Sequence, residues 1–167
     1  PITGDKPHII SDELPKVRKV NRNVLVGFAG DTLAAVQIIN ALDQYDVRYL
    51  TLEKVVKILC EKAPAVTTQP VGVRLLVGGR NRQFVLTTFG TADNYQPDTQ
   101  PARQGAYLIE GAASHTEIAP WLEREVKPDA PNWRSLDDVA HTLDACIAKM
   151  AEDDKSINTH YFRQLVM

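Results

Sequence analysis

The run Val24-Leu25-Val26-Gly27-Phe28-Ala29 is short, apolar and rich in β-branched residues, and Gly30 ends it. That length and composition read as a buried strand rather than a helix. Asp31 follows at once as a helix N-cap, its carboxylate placed to accept from the free N–H groups of a first turn. Leu33, Val36, Ile39 and Leu42 then recur at helical spacing. A buried strand running directly into an amphipathic helix calls for layers, with a sheet on one side and helices packed over it.

The flanking segments extend this pattern. Before the run, Lys16-Val17-Arg18-Lys19-Val20 alternates charged and apolar residues, the period of a half-buried strand, and Asn21-Arg22-Asn23 reads as the turn between them. After it, Thr51 can cap a second helix with Leu52, Val55, Val56, Leu59, Cys60 and Ala63 on one face, closed by Pro64. Val71 to Val77 and Gln83 to Phe89 read as two strands joined through Gly78-Gly79-Arg80-Asn81-Arg82. A polar loop from Gly90 to Gln104 follows, and Ala106 to Ile109 is a further strand. Ser114-His115-Thr116-Glu117 has the form of a capping box. Ser135-Leu136-Asp137-Asp138 opens the last helix, with Leu136, Val139, Ala140, Leu143, Ile147 and Met150 as its face. Thr159 to Met167 is extended. The expected order is strand, strand, helix, helix, strand, strand, strand, helix, helix, strand.

Length and composition bound what such a chain does. The 167 residues suffice for one domain with a real core. Hydrophobic residues make up 44% and charged residues 24%, with a formal charge of −2. That balance gives no electrostatic case for nucleic-acid binding. No apolar run approaches the roughly 18 residues of a membrane helix, and nothing at the start reads as a signal peptide. A cytoplasmic location is the expectation. Cys60 and Cys146 both fall in helical patterns and read as reduced core thiols.

Common catalytic patterns are missing. His8, His115, His141 and His160 are far apart, and neither cysteine belongs to a C-x-x-C pair, so no metal site is expected. The pair Gly78-Gly79 falls in the expected hairpin turn and not between strand and helix, which argues against a phosphate cradle. No G-x-S-x-G elbow surrounds Ser114, whose expected role is capping. No cofactor is expected.

Read together, several segments carry a resemblance. "PKVRKVNRNVLVGFAGDTLAAV", "VRLLVGG", "AYLIEGAASHTEIAPWLE" and "DDKSINTHYFRQLVM" occur in that order. The chain resembles the proteasome β-type subunits of the N-terminal-nucleophile hydrolase superfamily, and among them the bacterial ring peptidase that works with a heat-shock unfoldase. The likeness runs from about Thr3 to the end. It implies an α+β fold, a four-layer αββα sandwich in one domain over residues 1–167. The helices from Asp31 and Thr51 would cover one sheet, and those near Ser114 and Ser135 the other.

The resemblance also implies a chemistry. In the family a Thr, Ser or Cys at the very N-terminus attacks the scissile carbonyl, with its own α-amine as base. Lys16 matches the lysine whose charge lowers the nucleophile's pKa; Lys19 is the competing assignment. Gly30 matches the backbone donor that holds the developing oxyanion, its plain alternative being a turn that needs an unusual φ. Asp153 and Ser156 match the polar pair that orients the terminal amine and nucleophile. The implied assembly is a homo-oligomeric ring with the sites inside, acting on unfolded polypeptide and partnered by an ATP-dependent unfoldase.

The departures from the family set limits. Ala112 stands where the family carries a serine between glycines, and Ile157 replaces the glycine after the Asp-x-x-Ser turn. Pro1 aligns just downstream of the family's first hairpin, so that hairpin and its nucleophile are expected to be missing. Two readings follow: a piece of a threonine-type peptidase subunit, or a structural or binding subunit without catalysis. A third, remote reading is a tautomerase using the secondary amine of Pro1 as general base.

Overall fold

A computed structural model describes residues 15–66, 72–101 and 135–153. The chain divides into two compact units. Residues 16–66 and 72–101 belong to one, and 135–153 to the other.

The described residues of the first unit form a five-stranded antiparallel sheet in the order β1-β2-β3-β4-β5. Strand β1 is Val17–Asn21 and β2 is Val24–Gly30. As expected, they pair through the Asn21-Arg22-Asn23 turn, where the Asn21 side chain accepts from the Asn23 N–H at 2.9 Å. Helix α1, Thr32–Ile39, runs into a 3-10 turn over Asn40–Gln44. A second 3-10 turn, Val47–Tyr49, leads to helix α2, Leu52–Val66. Strands β3, Val73–Asn81, and β4, Gln83–Gly90, form the central hairpin. A 3-10 turn over Thr91–Asp93 then leads to β5, Asp98–Pro101.

The core lies between one face of this sheet and the helices α1 and α2. Val24 and Val26 of β2, Val73, Leu75 and Val77 of β3 and Phe89 of β4 meet Ala35, Ile38 and Leu42. Leu52, Val55, Leu59 and Ala63 of α2 complete the cluster. A large apolar side chain buried this fully contributes roughly 1.5–3 kcal/mol. Thr87 is a buried polar residue on this face, and its hydroxyl is satisfied by Thr99 of β5 at 2.9 Å. The expectation that the helices from Asp31 and Thr51 share one sheet face is met.

Both caps are found. The Asp31 carboxylate accepts from the Ala34 N–H at 2.7 Å, and the Thr51 hydroxyl from the Lys54 N–H at 3.3 Å. The buried stripe of α1 differs from the expected one. Ala35, Ile38, Ile39 and Leu42 face the core, while Leu33 is 64% exposed. Residues spaced strictly by three drift back by about 60° per step, so Leu33 and Leu42 stand on opposite sides of a helix. The stripe that follows i, i+3, i+4, i+7 is the one the core accepts. Helix α2 also continues past Pro64 to Val66. Proline that late removes one N–H donor without stopping the last turn.

Two further expectations are corrected. Gly78 and Gly79 lie inside β3, and the hairpin closes at Arg82 with φ 60°. Gly79 is there for close approach: a Cβ would fall 2.5 Å from the Asn23 carbonyl and 2.8 Å from Cδ1 of Leu52. Placed in a strand interior, Gly78 and Gly79 offer no phosphate cradle. The segment read as a loop from Gly90 to Gln104 contains β5, which pairs along β4 from Val85↔Pro101 to Thr88↔Asp98.

The second unit is described by helix α3, Leu136–Asp153. Its N-terminus is a reciprocal cap: the Asp138 N–H donates to the Ser135 hydroxyl at 3.1 Å, and the Ser135 N–H to the Asp138 carboxylate at 2.9 Å. On its expected face, Ala140 and Ile147 are half-buried but Leu143 is 44% exposed, and Cys146 is more deeply buried than either. The strands expected at Ala106 to Ile109 and Thr159 to Met167, and the capping box at Ser114, lie outside the described residues.

Candidate functional site

The β1–β2 pairing brings Lys16 and Gly30 to one end of the sheet. Val17 is paired with Gly27, and the Lys16 carbonyl accepts from the Phe28 N–H at 3.0 Å. Gly30 is two residues further along β2, roughly 7 Å at strand spacing. Lys19 is level with Leu25, roughly 17 Å from Gly30 along the strand. Both lysines are exposed.

Gly30 is held in a conformation that other residues rarely adopt. Its φ is +86°, and a Cβ there would meet the Gly72 carbonyl oxygen at 2.1 Å. The next N–H, that of Asp31, donates to that same carbonyl at 2.9 Å. Backbone N–H groups alternate in direction along a strand. The Phe28 N–H points to β1, so the Gly30 N–H two residues on points to the β1 side as well. A donor aimed beside a lysine, at an exposed strand end that leads into a capped helix, is the kind of fixed dipole that can hold a developing negative charge.

Gly27 belongs to the same corner and was passed over in the sequence. It lies opposite Val17, and a Cβ there would make only ordinary contacts, 3.6 Å to the Lys16 carbonyl and 3.9 Å to Leu76 and Val17. Packing among the described residues therefore does not by itself require a glycine at this position. A glycine inside an apolar strand was the available signal.

Asp153 is the last residue of α3. Ser156, Ala112, Ile157 and Pro1 lie outside the described residues. Among the described residues no group of three or more His, Cys, Asp or Glu could hold a metal ion. No helix among them is long and apolar enough to cross a membrane. Both cysteines are free thiols. Burial pushes Cys60 up to about 11, with the Glu61 carboxylate adding to the shift, and burial also raises Cys146. Thiols kept protonated at neutral pH are poor nucleophiles.

This fold is similar to that of a solved ancestral beta-subunit. One solved structure it resembles is Anbu, described as an ancestral beta-subunit, from Yersinia bercovieri, with a TM-score of 0.64 and 14% sequence identity. The match covers 87% of this chain and 66% of that one, so this chain spans just under two thirds of its length. Eukaryotic HslV from Trypanosoma brucei is matched more loosely, with a TM-score of 0.47 and 13% identity over 87% of this chain and 77% of that one. No protein-family model matches the sequence, and no curated protein matches it.

Proposed function

We propose that the chain is a subunit of a self-compartmentalising, proteasome-like peptidase that degrades unfolded polypeptides. One observation carries this reading: Lys16 and Gly30, with its positive φ, lie near the same strand end in a fold like that of an ancestral beta-subunit. Lys16 would hold positive charge near a terminal nucleophile, and the Gly30 N–H would stabilise the oxyanion as that nucleophile adds to the scissile carbonyl. The carbon–nitrogen bond then breaks, the amine leaves with a proton, and water hydrolyses the acyl-enzyme. Asp153 and Ser156 would orient the terminal amine and the nucleophile. The remaining parts of the proposal are the four-layer sandwich over residues 1–167, a homo-oligomeric ring, an ATP-dependent unfoldase as partner and a cytoplasmic location.

A second reading rests on Ala112 and Ile157, which replace a hydroxyl and a turn glycine of the family's pattern. In that reading the chain is a structural or binding subunit without peptidase activity.

The two are separated on the natural mature protein. A Thr, Ser or Cys at its N-terminus, modified by a nucleophile-directed inhibitor, supports the peptidase; any other residue there sinks it. In a fluorogenic peptide assay, Lys16→Ala is expected to lower turnover by at least about a hundredfold, whereas Lys19→Ala leaves it within about threefold. Equal activity of the two variants would refute the Lys16 assignment.

A further inference from the structure

The end of the sheet opposite Lys16 and Gly30 has a different character. The β1–β2 turn and the β3–β4 turn lie side by side there, joined by the Arg80 N–H donating to the Asn23 carbonyl at 3.0 Å. Arg22, Arg80 and Arg82 are all exposed on these turns, and neither turn carries a carboxylate. The Arg80 guanidinium stands over the Phe84 ring, 5.8 Å from its centroid, and Phe84 is itself 42% exposed.

A third segment borders this surface. The Asn21 side chain donates to the Val47 and Leu50 carbonyls at 2.8 and 2.9 Å, which sets the Val47–Tyr49 turn beside the first hairpin. Tyr49 is 74% exposed there. The carboxylate on this segment, Asp46, is already bonded to Arg48 at 2.6 Å.

The molecule as a whole is slightly acidic, at −2, so this concentration of exposed guanidinium groups, none of them paired with a carboxylate among the described residues, is local. Guanidinium forks bind carboxylates in bidentate fashion, and exposed aromatic rings beside them supply apolar contact without further ordering cost. We infer that this arginine- and aromatic-bearing end of the sheet docks an acidic polypeptide segment that also carries apolar side chains. It is separated from the Lys16 corner by the length of β2, roughly 20 Å, so it serves as a binding surface independent of any chemistry at that corner.

The test is a fluorescence-anisotropy titration of the purified protein with a labelled peptide of repeating Glu-Glu-Leu. The combined Arg22→Ser, Arg80→Ser and Arg82→Ser variant is expected to weaken binding by about tenfold. The matched variant Lys54→Ser, Lys57→Ser and Lys62→Ser, which removes the same charge from the exposed side of α2, is expected to change it by less than about twofold. Binding is also expected to weaken as salt rises. If the triple arginine variant fails to fold by circular dichroism, Arg22→Ser and Arg82→Ser are read singly, each expected to weaken binding by about two- to threefold. The inference is overturned if the protein does not bind the peptide, or if the arginine and lysine variants lose affinity equally. It is also overturned if a single-stranded oligonucleotide of equal charge binds more tightly than the peptide.

Discussion

Gly30 answers two demands at one position. It turns the chain out of β2 through a φ of +86°, and its lack of a Cβ lets the Gly72 carbonyl come close enough to accept from the Asp31 N–H. Both demands exclude alanine. Gly30→Ala is expected to lower the free energy of unfolding in urea by about 2–4 kcal/mol; a change within error would mean that neither the φ nor the contact constrains the fold. The φ agrees with the reading of this position as a turn that needs an unusual backbone conformation, which a glycine between an apolar run and an N-cap signals. The sequence marked Asp31 for the same kind of reason: capping is decided within a few residues. Gly78 and Gly79 were misread because a glycine pair in isolation signals a turn, whereas here Leu52 and Asn23, distant in sequence, press against Gly79.

At the scale of elements, local signals located most of what is described. Alternation found β1, a β-branched run found β2, and caps placed the starts of α1, α2 and α3. The cap of α3 should carry a measurable share of stability. Ser135→Ala is expected to cost about 1 kcal/mol in urea unfolding, and Ser135→Asp to retain most of it. An unchanged midpoint in Ser135→Ala would contradict a capping role. Strand β5 was not legible, and its residues explain why. Asp98-Thr99-Gln100-Pro101 has neither alternation nor β-branched weight, and all of it is exposed. It is a strand because β4 offers it an edge and because Thr87, buried on that strand, needs the Thr99 hydroxyl. Its charge and its proline suit an outer position in the sheet. The face of α1 was misplaced for a related reason: several stripes can be drawn through an apolar helix, and the sheet it meets selects one.

For the whole molecule, the resemblance to proteasome-type subunits rests on the arrangement of short motifs along the chain, none of them decisive alone. A peptidase of low specificity must be kept from folded proteins, so the proposed function requires a closed assembly. Light scattering on the natural full-length protein is expected to give a mass several times that of the 18.5 kDa chain; a strict monomer would count against the proteasome-like reading. What the sequence determined by itself were the features set within a few residues: the strand-to-helix junction at Gly30 and Asp31, the caps, the hairpin turn at Asn21-Arg22-Asn23, and the types of residue that carry the resemblance. What only the tertiary structure decided was pairing and proximity. It set Lys16 level with Phe28 and near Gly30 while leaving Lys19 further off, recruited β5, packed Leu52 onto Gly79, and gathered Arg22, Arg80 and Arg82 at the far end. The physical reason is that strand register and helix docking are fixed by burial and hydrogen bonding between segments far apart in the chain, and no local window contains both partners.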